Sequence, residues 1–397
     1  MRHSYIRIVR IPGAPRLLIA TFAGALPIGM LSLAVLLLVQ EASGSLSEAG
    51  GVAGALTVGN AAGVALQGRL IDRWHQTPVL LGASAVCAGA LVLLVLAAEV
   101  VGSVVLLGTL AVVAGGAIPA TTSSMRVLWP TMVEQPELRA SAYALLALMF
   151  TVALVLGPLL VSLLMVLLSS VLAVLTAAAL SVVAAALFAS APAARRWRAS
   201  GSNHGWRPRA LSTPGSRTLI GASLLSGLTA GIGNVAVPAV AIAAHAAALS
   251  GVLLSLASIG DGVVGLAYGS RAWRMPAPWR LALLQACSAV ISGAKAFARA
   301  PLQLAPLMVL GGAAQAPAGI TTSSLLDEVA AEGALTEAYT VMVGASLLGS
   351  SLGYTLGGRV VHTAGPGTAF TVAGMGMAAV AVWTAARHRT LKGRRSH

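Results

Sequence analysis

The chain carries eleven acidic residues in 397, and where they fall decides which chemistry is open to it. Glu41, Glu48 and Glu99 lie on connections at one end of a series of long apolar runs. Asp72, Glu134, Glu137, Asp327, Glu328, Glu332 and Glu337 lie on connections at the other end. Asp261 alone sits near the middle of an apolar run. A carboxylate in hydrocarbon is costly unless a partner satisfies it, so an acid at that depth is either hydrogen-bonded to a neighbouring helix or used. Its expected use is to bind a proton and a substrate in turn, or to gate access by protonation. Asn60, Asn234, Gln285 and Gln315 are amides at similar depth, and each must face protein or a water-filled cavity. Other chemistries find no support. The sequence has no phosphate-cradling G-x-x-x-x-G-K-[ST] loop, no His, Cys and Glu cluster at metal-ligand spacing, and no serine matched with a histidine and an acid at one depth. No enzyme activity, cofactor or metal is expected. Cys87 and Cys287 fall inside apolar runs and read as free thiols.

The elements that must position these residues follow from composition. The chain is 57% hydrophobic and 9% charged, whereas soluble proteins are roughly a quarter charged. Runs of about 20 apolar residues, each long enough to cross a bilayer as a helix, recur along its whole length. Twelve spans are expected, near 17–39, 46–68, 78–98, 102–124, 139–163, 168–190, 217–243, 247–269, 280–298, 302–324, 338–361 and 366–386. The runs are too long and too continuously apolar for barrel strands. The first is also too long for a cleavable signal and lacks a small-residue cleavage site. The expected fold class is therefore an all-α membrane protein.

Lys295, Arg299 and Arg359 are the only cations on odd-numbered connections, leaving 22 of the 25 at the termini or on even-numbered ones. That bias places both termini in the cytoplasm. Trp74, Trp129, Trp197, Trp206, Trp273 and Trp279 on even connections, with Trp383 near the last span end, read as an interfacial belt on the same side. The net charge of +14 is scattered between apolar runs, so it reads as a topology signal and not as a nucleic-acid surface. Lys295 and Arg299 at the outer end of the ninth span read as snorkelling to headgroups. His245 and His362 near outer ends read as solvated. One long hydrophilic stretch, rich in Arg, Gly, Ser and Pro, divides the chain into residues 1–194, a basic linker 195–216, and residues 217–397.

The two halves repeat. Thr121-Thr122-Ser123-Ser124 recurs as Thr321-Thr322-Ser323-Ser324, Gly115-Gly116-Ala117 as Gly311-Gly312-Ala313, and Cys87 as Cys287. Gly59-Asn60 before Gly68 matches Gly260-Asp261 before Gly269. Ala142-Tyr143-Ala144 matches Ala338-Tyr339-Thr340, and Gly157 and Gly353 each follow their tyrosine by fourteen residues. An ordered series at an offset of about 200 implies two six-helix bundles of like orientation, related by a pseudo-twofold axis.

Between the second and third spans, Gly68-Arg69-Leu70-Ile71-Asp72-Arg73-Trp74-His75 forms a charged connection. Its G-x-L-x-D-R pattern resembles motif A of the Major Facilitator Superfamily. The fifth span has Gly157-Pro158, and the eleventh has Gly349, Gly353, Gly357 and Gly358 with Tyr354 in the proline place; both resemble the antiporter motif C. Small residues at that spacing also suit close helix packing. The pattern departs from the family in two places: the motif B arginine of the fourth span is missing near Ala111, and His75 replaces a glycine of motif A.

The resemblance, which extends over the chain by architecture, implies a secondary transporter working by alternating access. Within it the closest likeness is to the twelve-helix bacterial efflux branch, which implies proton-coupled export of a small lipophilic or amphipathic compound. The alternative is a transporter of a neutral polar metabolite such as a sugar, its amides supplying hydrogen bonds. A non-transporting membrane sensor or lipid-handling protein is a further class. The resemblance also implies that Pro27, Met30, Asn234 and Gln315 line a cavity. Asn60, Gln285 and Tyr354 are assigned to it as well, and Asn60 should face Asp261. Pro27, Pro119, Pro238 and Pro317 can bend their helices and free carbonyls. Gly68, Asp72 and Arg73 become a cytoplasmic gate, with Asp72 accepting hydrogen bonds near Glu337 to Tyr339. The expected partners are a small-molecule substrate, protons and the lipid bilayer of a bacterial cytoplasmic (inner) membrane. No nucleic acid is expected, and the expected state is a monomer.

Overall fold

The structure, a computed structural model, describes residues 7–100, 102–133, 135–197, 210–271, 273–331 and 334–391. Lys392, Arg394 and Arg395, together with Arg2, Glu134, Glu332, Trp206 and most of the linker, lie outside them. In hydrocarbon a backbone has no water to bond, so apolar runs of this length close their hydrogen bonds within helices. The described residues accordingly form helices and no strand. The crossings are α1 (Ala14–Ser43), α2 (Leu46–Trp74), α3 (Gln76–Val100), α4 (Val104–Met132), α5 (Pro136–Leu167), α6 (Ser170–Ser190), α7 (Pro214–Ala243), α8 (Leu249–Gly269), α9 (Ala277–Lys295) and α10 (Pro301–Val329). A continuous helical trace, Leu335–Ala386, follows. It breaks at Gly365, whose φ of 81° leaves the helical region just before Pro366. Residues 335–364 and 366–386 are thus α11 and α12. Only α9, with Arg280 and Lys295 near its ends, falls short of a plain apolar span.

Two compact units divide the described residues. One takes the chain up to Ser43 together with Val58 to the linker. The other takes Gly44–Thr57 together with the chain after the linker. The outer part of α2 clusters with the second unit because its glycines meet α11. A methyl group on Gly50 would fall 2.5 Å from the Tyr354 carbonyl oxygen, and the Ser351 hydroxyl donates to the Gly54 carbonyl at 2.8 Å. The first unit buries Trp129, Phe188, Leu17 and Met125 together; the second buries Leu219, Leu281, Leu325 and Leu326. Trp129 therefore leaves the interfacial belt assigned to it, with no exposed surface at all. Trp74, Trp273 and Trp279 remain exposed.

The structure explains several of the repeated residues. In each unit a glycine pair lets two helices touch. Methyl groups on Gly59 and Gly63 would overlap the backbone of Val112 and Gly116, and one on Gly260 would overlap that of Val309. Gly227, Gly231, Gly349 and Gly353 do the same where α7 crosses α11. The glycine spacing of the eleventh span is thus a packing device, since small residues drive helix association in lipid through close backbone contact. Tyr143 donates to the Arg126 carbonyl and Tyr339 to the Ser323 carbonyl, so each tyrosine ties the end of α4 or α10 to the following helix.

Two local features differ from the expectation. The stretch Gly68–Trp74 is not a connection, because α2 continues through it. The chain reverses at His75 alone, with φ 82° and its N–H bonded to the Ile71 carbonyl at 3.0 Å. Left-handed backbone normally asks for glycine, the residue that histidine replaces here. The fourth span is broken, with Gly116 ending one half and Thr121 opening the next. Pro119 has no N–H, and its ring excludes the preceding residue from helical geometry. Gln67 fills the gap from α2. Its Nε2 donates to the carbonyls of Gly116 (3.0 Å) and Ile118 (2.8 Å), and its Oε1 accepts from the Ala120 N–H (3.1 Å). At the equivalent place in the second unit Tyr268 meets the Thr321 hydroxyl at 2.8 Å, and α10 runs unbroken through Pro317. Gln67→Leu is expected to lower the unfolding temperature in detergent sharply. It leaves three backbone groups unbonded, at about 1–3 kcal/mol each. Tyr268→Phe removes one hydroxyl contact and should cost about 1 kcal/mol.

Candidate functional site

Polar residues at helical spacing converge inside the second unit. On α9, Gln285, Ser288, Ser292 and Lys295 fall at i, i+3, i+7 and i+10, which places them on one face. On α7, Ser226, Thr229 and Asn234 turn toward the same space, and on α10 Gln315 and Thr322 do so. Together they line a cavity of about 440 Å³, closed on its apolar side by Met308, Phe370, Met377 and Val237. The mixture suits a ligand with both an apolar body and hydrogen-bonding groups.

Individual side chains are fixed in different ways. Gln285 is 4% exposed, and its Oε1 accepts from the Thr384 hydroxyl on α12 at 2.7 Å. The carboxamide is thereby held with its nitrogen still able to donate. Pro238, four residues after Asn234, removes the N–H that would otherwise bond the Asn234 carbonyl. Asn234 therefore offers backbone and side-chain oxygens together. Lys295, at the last residue of α9, does not snorkel outward. Its Nζ lies beside Gly311 of α10, where an added methyl group would be 2.8 Å from it. Arg299, one turn further on, is exposed. Among the described residues no carboxylate pairs with Lys295.

The assigned residues separate into three groups. Asn234, Gln285 and Gln315 line the cavity. Asp261 stands on α8 of the same unit, half-buried and outside the cavity lining. Its backbone nitrogen packs close to Gly312, and among the described residues its carboxylate has no hydrogen-bond or ion-pair partner. Asn60 is half-buried in the first unit. Three further residues assigned to a cavity are buried. Met30 has no exposed surface, Pro27 is buried beside it in α1, and Tyr354 is 6% exposed with its backbone against Gly50 and Gly231. Gly68, Asp72 and Arg73 are exposed on the last turns of α2. Sequence reasoning missed Gln67 and the inward course of Lys295. The signal for the second was present, as the four-residue polar stripe along α9.

Residues 17–222, more than half of the chain, match the Major Facilitator Superfamily. Among solved structures the chain is similar to the nucleoside transporter NupG. The TM-score is 0.71 and the identity 16%, over 94% of this chain and 98% of that one. It is also similar to an auto-inhibited POT family peptide transporter, with a TM-score of 0.68 and 12% identity over 95% and 97%. Identities this low speak for the fold alone. No curated protein matches the sequence.

The lining can be tested by thiol chemistry. Cys87 is buried and Cys287 exposed, so a Cys287→Ser background is required. Cysteines placed at Ser288 and Gln315 are expected to react rapidly with a water-soluble thiol reagent. Cysteines at Met30 and Tyr354 should be protected until the protein is unfolded.

Proposed function

We propose, from the premise that this chain belongs to the Major Facilitator Superfamily and is a multi-pass membrane transporter, that it exports a small amphipathic molecule by proton-coupled alternating access. The observation that carries this reading is the cavity of the second unit, where amides and hydroxyls face methionine and phenylalanine side chains. A purely lipophilic substrate would leave the amides unbonded, and an unbonded polar group in an apolar site is costly. A fully polar one would leave the Met308 and Phe370 side unfilled. The amides alone favour a second reading, a neutral polar metabolite held by Asn234, Gln285 and Gln315.

Proton coupling is assigned to Asp261. Among the described residues it is the one acid near the middle of a crossing, and no hydrogen bond or ion pair engages its carboxylate there. Export follows the likeness of the motifs to the twelve-helix efflux branch. Gly68, Asp72 and Arg73, exposed where α2 turns into α3, would bias the inward/outward equilibrium. The protein is read as a monomeric non-enzyme of a bacterial cytoplasmic (inner) membrane, with cytoplasmic termini.

Two substitutions test these assignments in proteoliposomes. Asp261→Asn should abolish transport driven by an imposed pH gradient while leaving ligand-induced thermal stabilisation in place. Undiminished pH-driven transport would remove Asp261 from the mechanism. Asp72→Asn should shift the accessibility of single-cysteine reporters on the two membrane faces without altering ligand affinity at equilibrium in detergent by more than about threefold, which is about 0.7 kcal/mol. An unchanged accessibility pattern would reduce the stretch to a solvated helix end.

A further inference from the structure

We infer that the cavity's occupant is an organic monoanion, its carboxylate seated against Lys295 and its apolar body against Met308 and Phe370. The inference rests on the reading of this cavity as the substrate site and adds the substrate's charge. Lys295 is the only cation among the cavity's lining residues. An ammonium drawn into the membrane interior is costly unless a counter-charge meets it. None is at hand in the protein: among the described residues no carboxylate pairs with it, and neither Asp261 nor any other acid is among the cavity's lining residues.

The side chain has an alternative that it does not take. Arg299, one turn beyond, reaches the exposed surface from the same end of the bundle. Lys295 turns instead toward Gly311, where the lack of a side chain on α10 leaves room for the ammonium. The hydroxyls of Ser288 and Ser292 and the amides of Gln285 and Gln315 can hydrogen-bond a carboxylate, but they cannot neutralise an ammonium. A ligand anion does both. A cationic ligand would meet like charge with nothing to offset it, so the site is selective by sign.

The test uses purified full-length protein in detergent and thermal unfolding. The probes are naphthaleneacetate, phenylacetate and octanoate, each compared with its primary amide, and the naphthyl compound also with its amine. The carboxylates should raise the unfolding temperature by several degrees, and the amides and the amine should not. Lys295→Gln should remove the carboxylate response, and Lys295→Arg should keep at least part of it. If Lys295→Gln proves too unstable to purify, Gln315→Leu and Ser292→Ala provide the second measurement and should weaken the response several-fold. Equal stabilisation by acids and amides would overturn the inference in favour of a neutral ligand. So would no stabilisation by any probe, or a full carboxylate response in Lys295→Gln. Stabilisation by phosphatidylglycerol but by none of the small acids would make the occupant a lipid headgroup and overturn it too. The readout needs no proton gradient. Undiminished pH-driven transport in Asp261→Asn therefore rejects the coupling assignment without touching this result, and an absent carboxylate response rejects this result without touching the coupling.

Discussion

A helix that unwinds inside hydrocarbon must find new partners for the backbone groups it releases, and that requirement governs this protein. Pro119 forces α4 open, and Gln67 meets the consequence with three hydrogen bonds from a neighbouring helix. Elsewhere the same requirement is met by keeping helices whole. α10 runs unbroken through Pro317, and the Thr321 hydroxyl returns to the Pro317 carbonyl at 2.7 Å. Where side chains would hold backbones apart, glycine removes them, and α7 and α11 touch along a seam of four. The apolar runs determine that there are helices. The polar and small residues determine how the helices meet.

The two units share a repeated pattern and differ in how their helices end and break. The first has a broken α4 locked by an amide and ends α2 in exposed charge. The second has a continuous α10 and ends α8 with Trp273 stacked on Tyr268, ring centroids 4.7 Å apart. Trp273 stands where Asp72 stands in the first unit, so an exposed acid is matched by an exposed ring that leans on a tyrosine. The polar cavity lies in the second unit, beside the unbroken helix.

Much of the fold was legible in the sequence because membrane helices announce themselves by length and apolarity, with tertiary context adding little. The spans near 46–68 and 217–243 fall within α2 and α7. The repeat was legible too, and the structure supplies its cause in glycine crossings and tyrosine tethers. Other features depend on three-dimensional neighbours and were not legible. Nothing local to Gln67 reveals that a proline 52 positions later will need it. Lys295 read as a headgroup anchor because its position near a span end suits snorkelling, while its direction is set by the space above Gly311. Met30 was assigned to a cavity by analogy of helix number and Tyr354 along with it, and both side chains are buried. The three amides of α7, α9 and α10 line the cavity of the second unit, as suits a group that in lipid has few other places to be.

The reversal at His75 carries one further consequence. A connection of a single residue has almost no slack. Its φ of 82° is held by the bond to Ile71, and Gln76 begins the next helix at once. Axial rotation of α2 is therefore passed directly to α3 as torque, as a rigid elbow passes it between two rods. A longer, glycine-rich link would absorb the twist, and charge changes at the tip of α2 would then stay local. With this elbow, the exposed tip of α2 and the first turn of α3 form one stiff corner.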